Sequence, residues 1–343
     1  MKRTLFIALS SAFLFASSTW SQTVNGTNQG GLVLPGNTWN QHPFGIMDYT
    51  TGVFRYYWSC GNPDGLCVGH ATTTSTFFDG EPVSVNNPSP SVCDIQDPAI
   101  VKFNGTYYLY ADGIRPGAPP NAGCNNEQGA GNEHAAIYGF SSSDGVYFSP
   151  LNGGNPVIQV PGDPCYSCYT GHGINGPSPV VMGSGSFIRV YYFISAPGYG
   201  VVANGSGIEA QDSYDGVNFS NERAIMAGGY WPCVKRVGLY GDYPMVMTYN
   251  YGGTAYSATS SSSNDTDWTV GNGGNPISTN PAYSYAPRIE GDQTGLFLDA
   301  NGAAFTSPVS GQINLDWDNG TGKSVFGTRI FRGLANAAQF FNF

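Results

Sequence analysis

Five X-Pro dipeptides, each leading into an apolar stretch, recur along the chain: His42-Pro43, Asp97-Pro98, Gly176-Pro177, Trp231-Pro232 and Ala286-Pro287. Two of them carry a proton-transferring side chain, His42 and Asp97, at the same point of the pattern. Imidazole and carboxyl groups are the commonest general acids and bases. Beside these openings stand Tyr230, Trp231 and Tyr285, whose ring faces suit the apolar faces of sugar rings or, equally, the packing of a core. Lysine and arginine total only 13, so Lys235, Arg236 and Arg288 near the openings are conspicuous. One of them can hold a substrate carboxylate or pair with Glu290. Cys165, Cys168 and His172 form a C-x2-C-x3-H string with the ligand types of a zinc site but no evident fourth ligand. A disulfide is the better reading in an oxidising compartment, and no metal or other cofactor is expected.

The elements that position these residues follow from the spacing. The five prolines stand 55, 79, 55 and 55 residues apart and 56 residues remain after the last, so one period holds with a single insertion of about 24 residues. Within a period an apolar strand is followed by one rich in Tyr and Phe and then by a third that ends in a turn. Examples are Ile100 to Phe103, Tyr107 to Ala111 and Phe187 to Ile194. The turns read Ser142-Ser-Asp-Gly145 and Ser213-Tyr-Asp-Gly216, and Asp-Gly is a strong hairpin signal. A degraded form occurs at Ser262 to Trp268. Short strands at a fixed period with no helical pattern predict an all-β, five-bladed β-propeller in a single domain, residues 23–343, with blades opening near 42, 97, 176, 231 and 286. A sandwich has no reason to repeat every 55 residues, and a β-helix coil is much shorter. Propeller geometry puts the blade openings and the insertion from Asp112 to His134 on one face, together with all seven cysteines and all four histidines.

Composition limits the function classes. Gly and Pro number 48 and 23, and charged residues are only 10% against roughly 25% in an average domain, so long salt-bridged helices are excluded. A net charge of −10 argues against nucleic acid as a partner, because phosphate binding needs clustered cations. Lys2 and Arg3 followed by the apolar run Leu5 to Ala16 read as a signal peptide over residues 1–22, with no later stretch apolar enough for a membrane anchor. A secreted monomer, extracellular or periplasmic, is expected. Seven cysteines leave at least one unpaired. Cys60 with Cys67 across a turn, Cys93 with Cys124 from the insertion, and Cys165 with Cys168 are the expected disulfide residues, with Cys233 left over as a buried thiol. No phosphate loop, dinucleotide fingerprint, HExxH helix or Gly-x-Ser-x-Gly elbow is present.

The segment Asp97-Pro-Ala-Ile-Val-Lys-Phe-Asn-Gly-Thr-Tyr-Tyr-Leu-Tyr110 resembles the blade-opening motif of glycoside hydrolase family 43, and the Ser-x-Asp-Gly turns resemble the same family. The resemblance implies a glycosidase that inverts configuration, with Asp97 matching the general base. Where the family carries its general acid in Glu-Gly-Pro, this chain has Asn175-Gly176-Pro177, and an amide cannot donate a proton to a leaving alkoxide. Inversion needs two groups about 6.5 to 9.5 Å apart, one ionised and one protonated. Candidates for the acid are His42 and Glu133, ranked ahead of Glu209 and Glu290. Asn175, Trp231, Tyr285, Arg288 and Lys235 are the candidate substrate-binding residues, and arabinan or xylan is the substrate type the resemblance favours. The alternatives are a catalytically silent propeller that binds carbohydrate, which the Asn at the acid position would explain, and an adhesion propeller that binds protein.

Overall fold

The computed structural model describes residues 26–32, 40–48, 53–60, 65–72, 81–82, 84–85, 93–114, 135–160, 173–182, 185–195, 200–236, 245–252, 254–260, 267–270, 274, 285–290, 312–318 and 329–334. Among them the strands form five sheets, with single helical turns such as Asn152–Gly154 and Ala203–Gly205 between strands. Sheet 1 contains Asn40–Asp48, Val53–Cys60, Gly65–Thr72 and Glu81–Pro82. Sheet 2 contains Cys93–Phe103, Thr106–Ile114, Ala135–Ser142 and Tyr147–Pro150, with Ser84–Val85 added in parallel at its edge. Sheet 3 contains Gly173–Met182, Phe187–Ser195, Ser206–Ser213 and Ser220–Ala227. Sheet 4 contains Tyr230–Arg236, Met245–Tyr251, Thr254–Ser260 and Thr269–Val270. Sheet 5 contains Tyr285–Glu290, Gln312–Asp318 and Arg329–Leu334, and its outermost strand is Gly26–Leu32 from the other end of the sequence. Its sheet partner was not legible, because a lone strand before the first X-Pro carries no repeat signal.

The first strands of consecutive sheets neighbour one another in cyclic order, and Tyr285–Glu290 neighbours Asn40–Asp48 to close the cycle. Sheets 2, 3 and 4 pack face to face. Tyr110, Phe103 and Ile137 of sheet 2 share one buried cluster with Ile188, Val190 and Tyr192 of sheet 3. Tyr191, Ile208 and Met182 of sheet 3 share a second with Val234, Met247 and Tyr249 of sheet 4. Phe187–Ser195 is therefore covered on both faces and is buried from Ile188 to Ile194, with Arg189 the one charged residue in that run, whereas Ser220–Ala227 is exposed or half-buried along its length. The branched and aromatic residues of these strands suit a pleated surface packed on each side.

A repeated hydrogen bond joins sheet to sheet at the turn end. Tyr57 donates its hydroxyl proton to the carbonyl of Gly145 at 2.8 Å, and Tyr110 does the same to Gly216 at 2.9 Å. Each tyrosine sits two strands in, on the residue opposite the one that follows X-Pro. Tyr191 holds the same register in sheet 3, but the turn of sheet 4 is the degraded one. There Tyr191 meets the edge of Trp268, with ring centroids 6.1 Å apart, and its hydroxyl turns to the Met245 sulfur at 3.8 Å. The Ser-x-Asp-Gly turns are internally satisfied. The Ser142 hydroxyl donates to Asp144 and accepts the Gly145 N–H, both at 2.8 Å, while Asp144 accepts the N–H groups of Val146 and Tyr147. Ser213 and Asp215 repeat the pattern around Gly216.

Two expectations are corrected by the strand register. The insertion begins after Ile114, because Asp112 still pairs with Gln96 on one side and Ile137 on the other. His70 pairs with Arg55, which pairs with Ile46, so it lies toward the end of sheet 1 away from His42. The four histidines are not gathered on one face. Residues 1–22 lie outside the described residues.

Candidate active site

The X-Pro dipeptides become one structural device. In every sheet the first strand carries an extra residue at that point: between Gln41 and Phe44, Gln96 and Ala99, Asn175 and Ser178, Tyr230 and Cys233, and Tyr285 and Pro287. A proline cannot donate to the ladder, so a bulge is where a strand tolerates it. Bulges re-aim side chains and are common beside active sites. The bulge residue is itself unusual. Asp97, Gly176 and Trp231 have φ of 52°, 60° and 47°. A residue before proline is ordinarily extended, and a bulky residue at positive φ costs of order 1–3 kcal/mol. The other non-glycine residues of this kind among the described ones are Asn104, Asn152 and Asn221, a residue type that tolerates the conformation. Strain on an Asp and a Trp is thus confined to the sheet openings.

Asp97 is buried, with 3% of its surface exposed. One strand further round, Asn175 pairs with Phe193, so both project from the same face of sheet 3. That face meets the opening of sheet 4, where the Phe193 ring lies 5.2 Å from Tyr230 and 6.3 Å from Trp231. Gly176 is required at this junction. A Cβ there would sit 2.8 Å from the Trp231 ring, and its φ already excludes most side chains. The two openings are locked by the Ser178 hydroxyl, which accepts the Val234 N–H at 2.8 Å. Asn175 is 1% exposed, and neither its amide oxygen nor its amide nitrogen has a hydrogen-bond partner.

Glu209, a lower-ranked acid candidate, occupies a different environment. It is fully buried, and its Oε1 accepts the N–H groups of Val201 and Val202, each at 2.6 Å. Gly200, with φ of 74°, lets the backbone pass so close that a Cβ would lie 2.6 Å from the same oxygen. Burial pushes the Glu209 carboxyl up to about 7, against the pull of those two N–H groups, and neighbouring Glu222 adds to the rise. That value suits a general acid. The carboxyl nevertheless lies under the 200–202 backbone, which it anchors through those two bonds. Sequence alone could not reveal this, since the environment is built from backbone groups.

His42, Tyr285 and Arg288 lie at or within two residues of the bulges on the first strands of their sheets, whereas Lys235, expected at an opening, pairs with Val246 next to the far end of Tyr230–Arg236; the side chains of all four lie outside the described ones. Glu133, Cys124, Cys165, Cys168 and His172 lie wholly outside the described residues, as do the side chains of Cys60, Cys67 and Cys93. The register sets Cys60 opposite Gly65 and Cys67 opposite Trp58, diagonal positions on one face of the hairpin. Cys233 is fully buried and outside any disulfide. Among the described residues no group of His, Cys, Asp and Glu side chains gathers as a metal site.

The chain shares its fold with glycoside hydrolases of families 43 and 117. A family 43 subfamily 1 enzyme from Xanthomonas citri, solved with xylose, is 12% identical with a TM-score of 0.59, covering 93% of this chain and 92% of that one. A family 117 glycoside hydrolase from Zobellia galactanivorans is 13% identical with a TM-score of 0.58, covering 92% of each chain. An α-L-arabinofuranosidase from Lactobacillus brevis is 11% identical with a TM-score of 0.56, covering 87% and 93%. No protein-family model and no curated protein sequence matches the chain.

Proposed function

We propose that this protein is a secreted glycoside hydrolase built as a five-bladed β-propeller, acting by inversion on an arabinan- or xylan-type polysaccharide. The propeller reading is supported by five sheets in cyclic contact and by Gly26–Leu32 completing the last of them. The observation that carries the activity is Asp97, buried and held at positive φ in a bulge on the first strand of its sheet, in a fold shared with arabinan- and xylan-related hydrolases. In this reading Asp97 takes a proton from a water molecule as that water attacks the anomeric carbon. The glycosidic C–O bond breaks, and the leaving oxygen takes a proton from His42 or Glu133. Trp231 and Tyr285 stack against sugar rings, while Arg288 meets polar or acidic substituents.

The test is sugar release from arabinans, xylans and algal polysaccharides by the wild-type protein and by Asp97→Asn. Loss of a general base lowers the rate by about 10² to 10⁴, and that loss with the fold intact is the expected result. Equal release by both proteins overturns the role of Asp97. A second reading, a binding propeller without turnover, is favoured by the amide at Asn175 and predicts glycan binding with no release.

A further inference from the structure

We infer that the Asn175 amide and the Trp231 indole form a subsite for one neutral sugar ring, the amide donating to one ring hydroxyl and accepting from another. The inference rests on the carbohydrate side of the reading above and is independent of which group supplies the acid. Its basis is the mismatch at Asn175. A buried amide offers two donors and an acceptor, and leaving such groups unpaired costs about 1–3 kcal/mol, which is why buried polar groups nearly always find partners. Asn175 is 1% exposed with both amide atoms unmatched. Sheet 3 does not need an amide for packing, since the residue opposite it is the aromatic Phe193.

The surroundings select the ligand chemistry. The face that carries Asn175 meets the Tyr230–Trp231 corner, and Trp231, unlike Asn175, keeps part of its surface exposed. Backbone strain at Trp231 and the missing Cβ at Gly176 hold the indole against the sheet 3 opening. An aromatic face beside a group that both donates and accepts matches a pyranose or furanose ring with adjacent hydroxyls. A carboxylate ligand would satisfy the amide donors only, leaving the oxygen unpaired, so this position selects a neutral ring.

Asn175→Leu keeps the shape and removes the hydrogen bonds. Binding of xylose, arabinose, galactose and their trisaccharides is measured by titration calorimetry for both proteins, alongside Tm and reducing-sugar release. The expected result is a Tm equal to or above wild type with at least about tenfold weaker binding of the preferred sugar. Unchanged binding overturns the subsite and leaves the hydrolase reading standing, as does a wild-type protein that releases sugar but binds none of the panel. Neither binding nor release overturns both. If the Leu variant fails to fold, Asn175→Ala is judged by the same outcomes.

Discussion

The two ends of the sheets are built on opposite principles. At the turn end, Ser142, Asp144, Ser213 and Asp215 are saturated with hydrogen bonds, and tyrosines from the preceding sheets add two more. At the bulged end an Asp and a Trp are held at positive φ, and an amide is buried without partners. Carboxyl groups make the contrast quantitative. Asp215, although desolvation pulls upward, is held well below the ordinary carboxylate range by the combined hydrogen bonds from Asn218, Val217 and Ser213. Glu209, in the strand that leads into that turn, is pushed up to about 7 by burial. One end is therefore a fastening, and the other keeps polar groups in reserve for something that arrives from outside.

This division can be broken first where the fastening is strongest. Asp212, beside the turn of sheet 3, holds buried Arg189 through two bonds of 2.7 and 3.0 Å and also pairs with Arg223. Asp212→Ala removes the carboxylate from the buried Arg189 guanidinium, and a loss of about 3–5 kcal/mol by urea unfolding is expected, with unchanged sugar binding by the folded protein. A smaller loss would mean that the turn end is not the source of rigidity.

The Glu209 carboxyl gives the next effect. Its pKa is higher folded than the ordinary 4.5, so between these values the folded state binds more protons than the unfolded one. Its contribution to stability is therefore full below pH 4.5 and is lost as pH rises through about 7. Glu209→Gln keeps an acceptor for the two N–H groups and should flatten this part of the stability–pH curve. A slope that survives the substitution assigns it to another group.

The smallest effect sharpens the comparison between sheets. Tyr57→Phe and Tyr110→Phe each leave a carbonyl at a turn unbonded, and each should lower stability by about 1 kcal/mol. Tyr191→Phe, whose hydroxyl makes a long contact to sulfur instead of a turn carbonyl, should fall well below that. Equal losses from the three would show that ring packing, not the hydroxyl, does the joining.

Much of the fold was legible because the X-Pro period marks a backbone requirement that recurs in every sheet. The turns were legible for the same reason, since Asp144-Gly145 and Asp215-Gly216 state their geometry locally. What escaped depends on partners distant in sequence. The positive φ of Asp97 and Trp231 runs against the usual preference before proline, so local rules pointed away from it. The raised Glu209 arises from backbone N–H groups and a glycine that any sequence of similar shape could supply. Asn175 was legible as a departure from a motif, but its unmatched amide required knowing what lies around it.

Pairing of Gly26 with Gly333 sets the timing of assembly. Nearly the whole chain lies between these two strands, so sheet 5 is the last to be completed however early its outer strand is synthesised. Such remote pairing slows folding, and until it forms the Arg329–Leu334 edge stays open to strands of other molecules. Sheet 5 thus behaves as a joint whose outer stave exists from the start yet cannot be set until its partner stands.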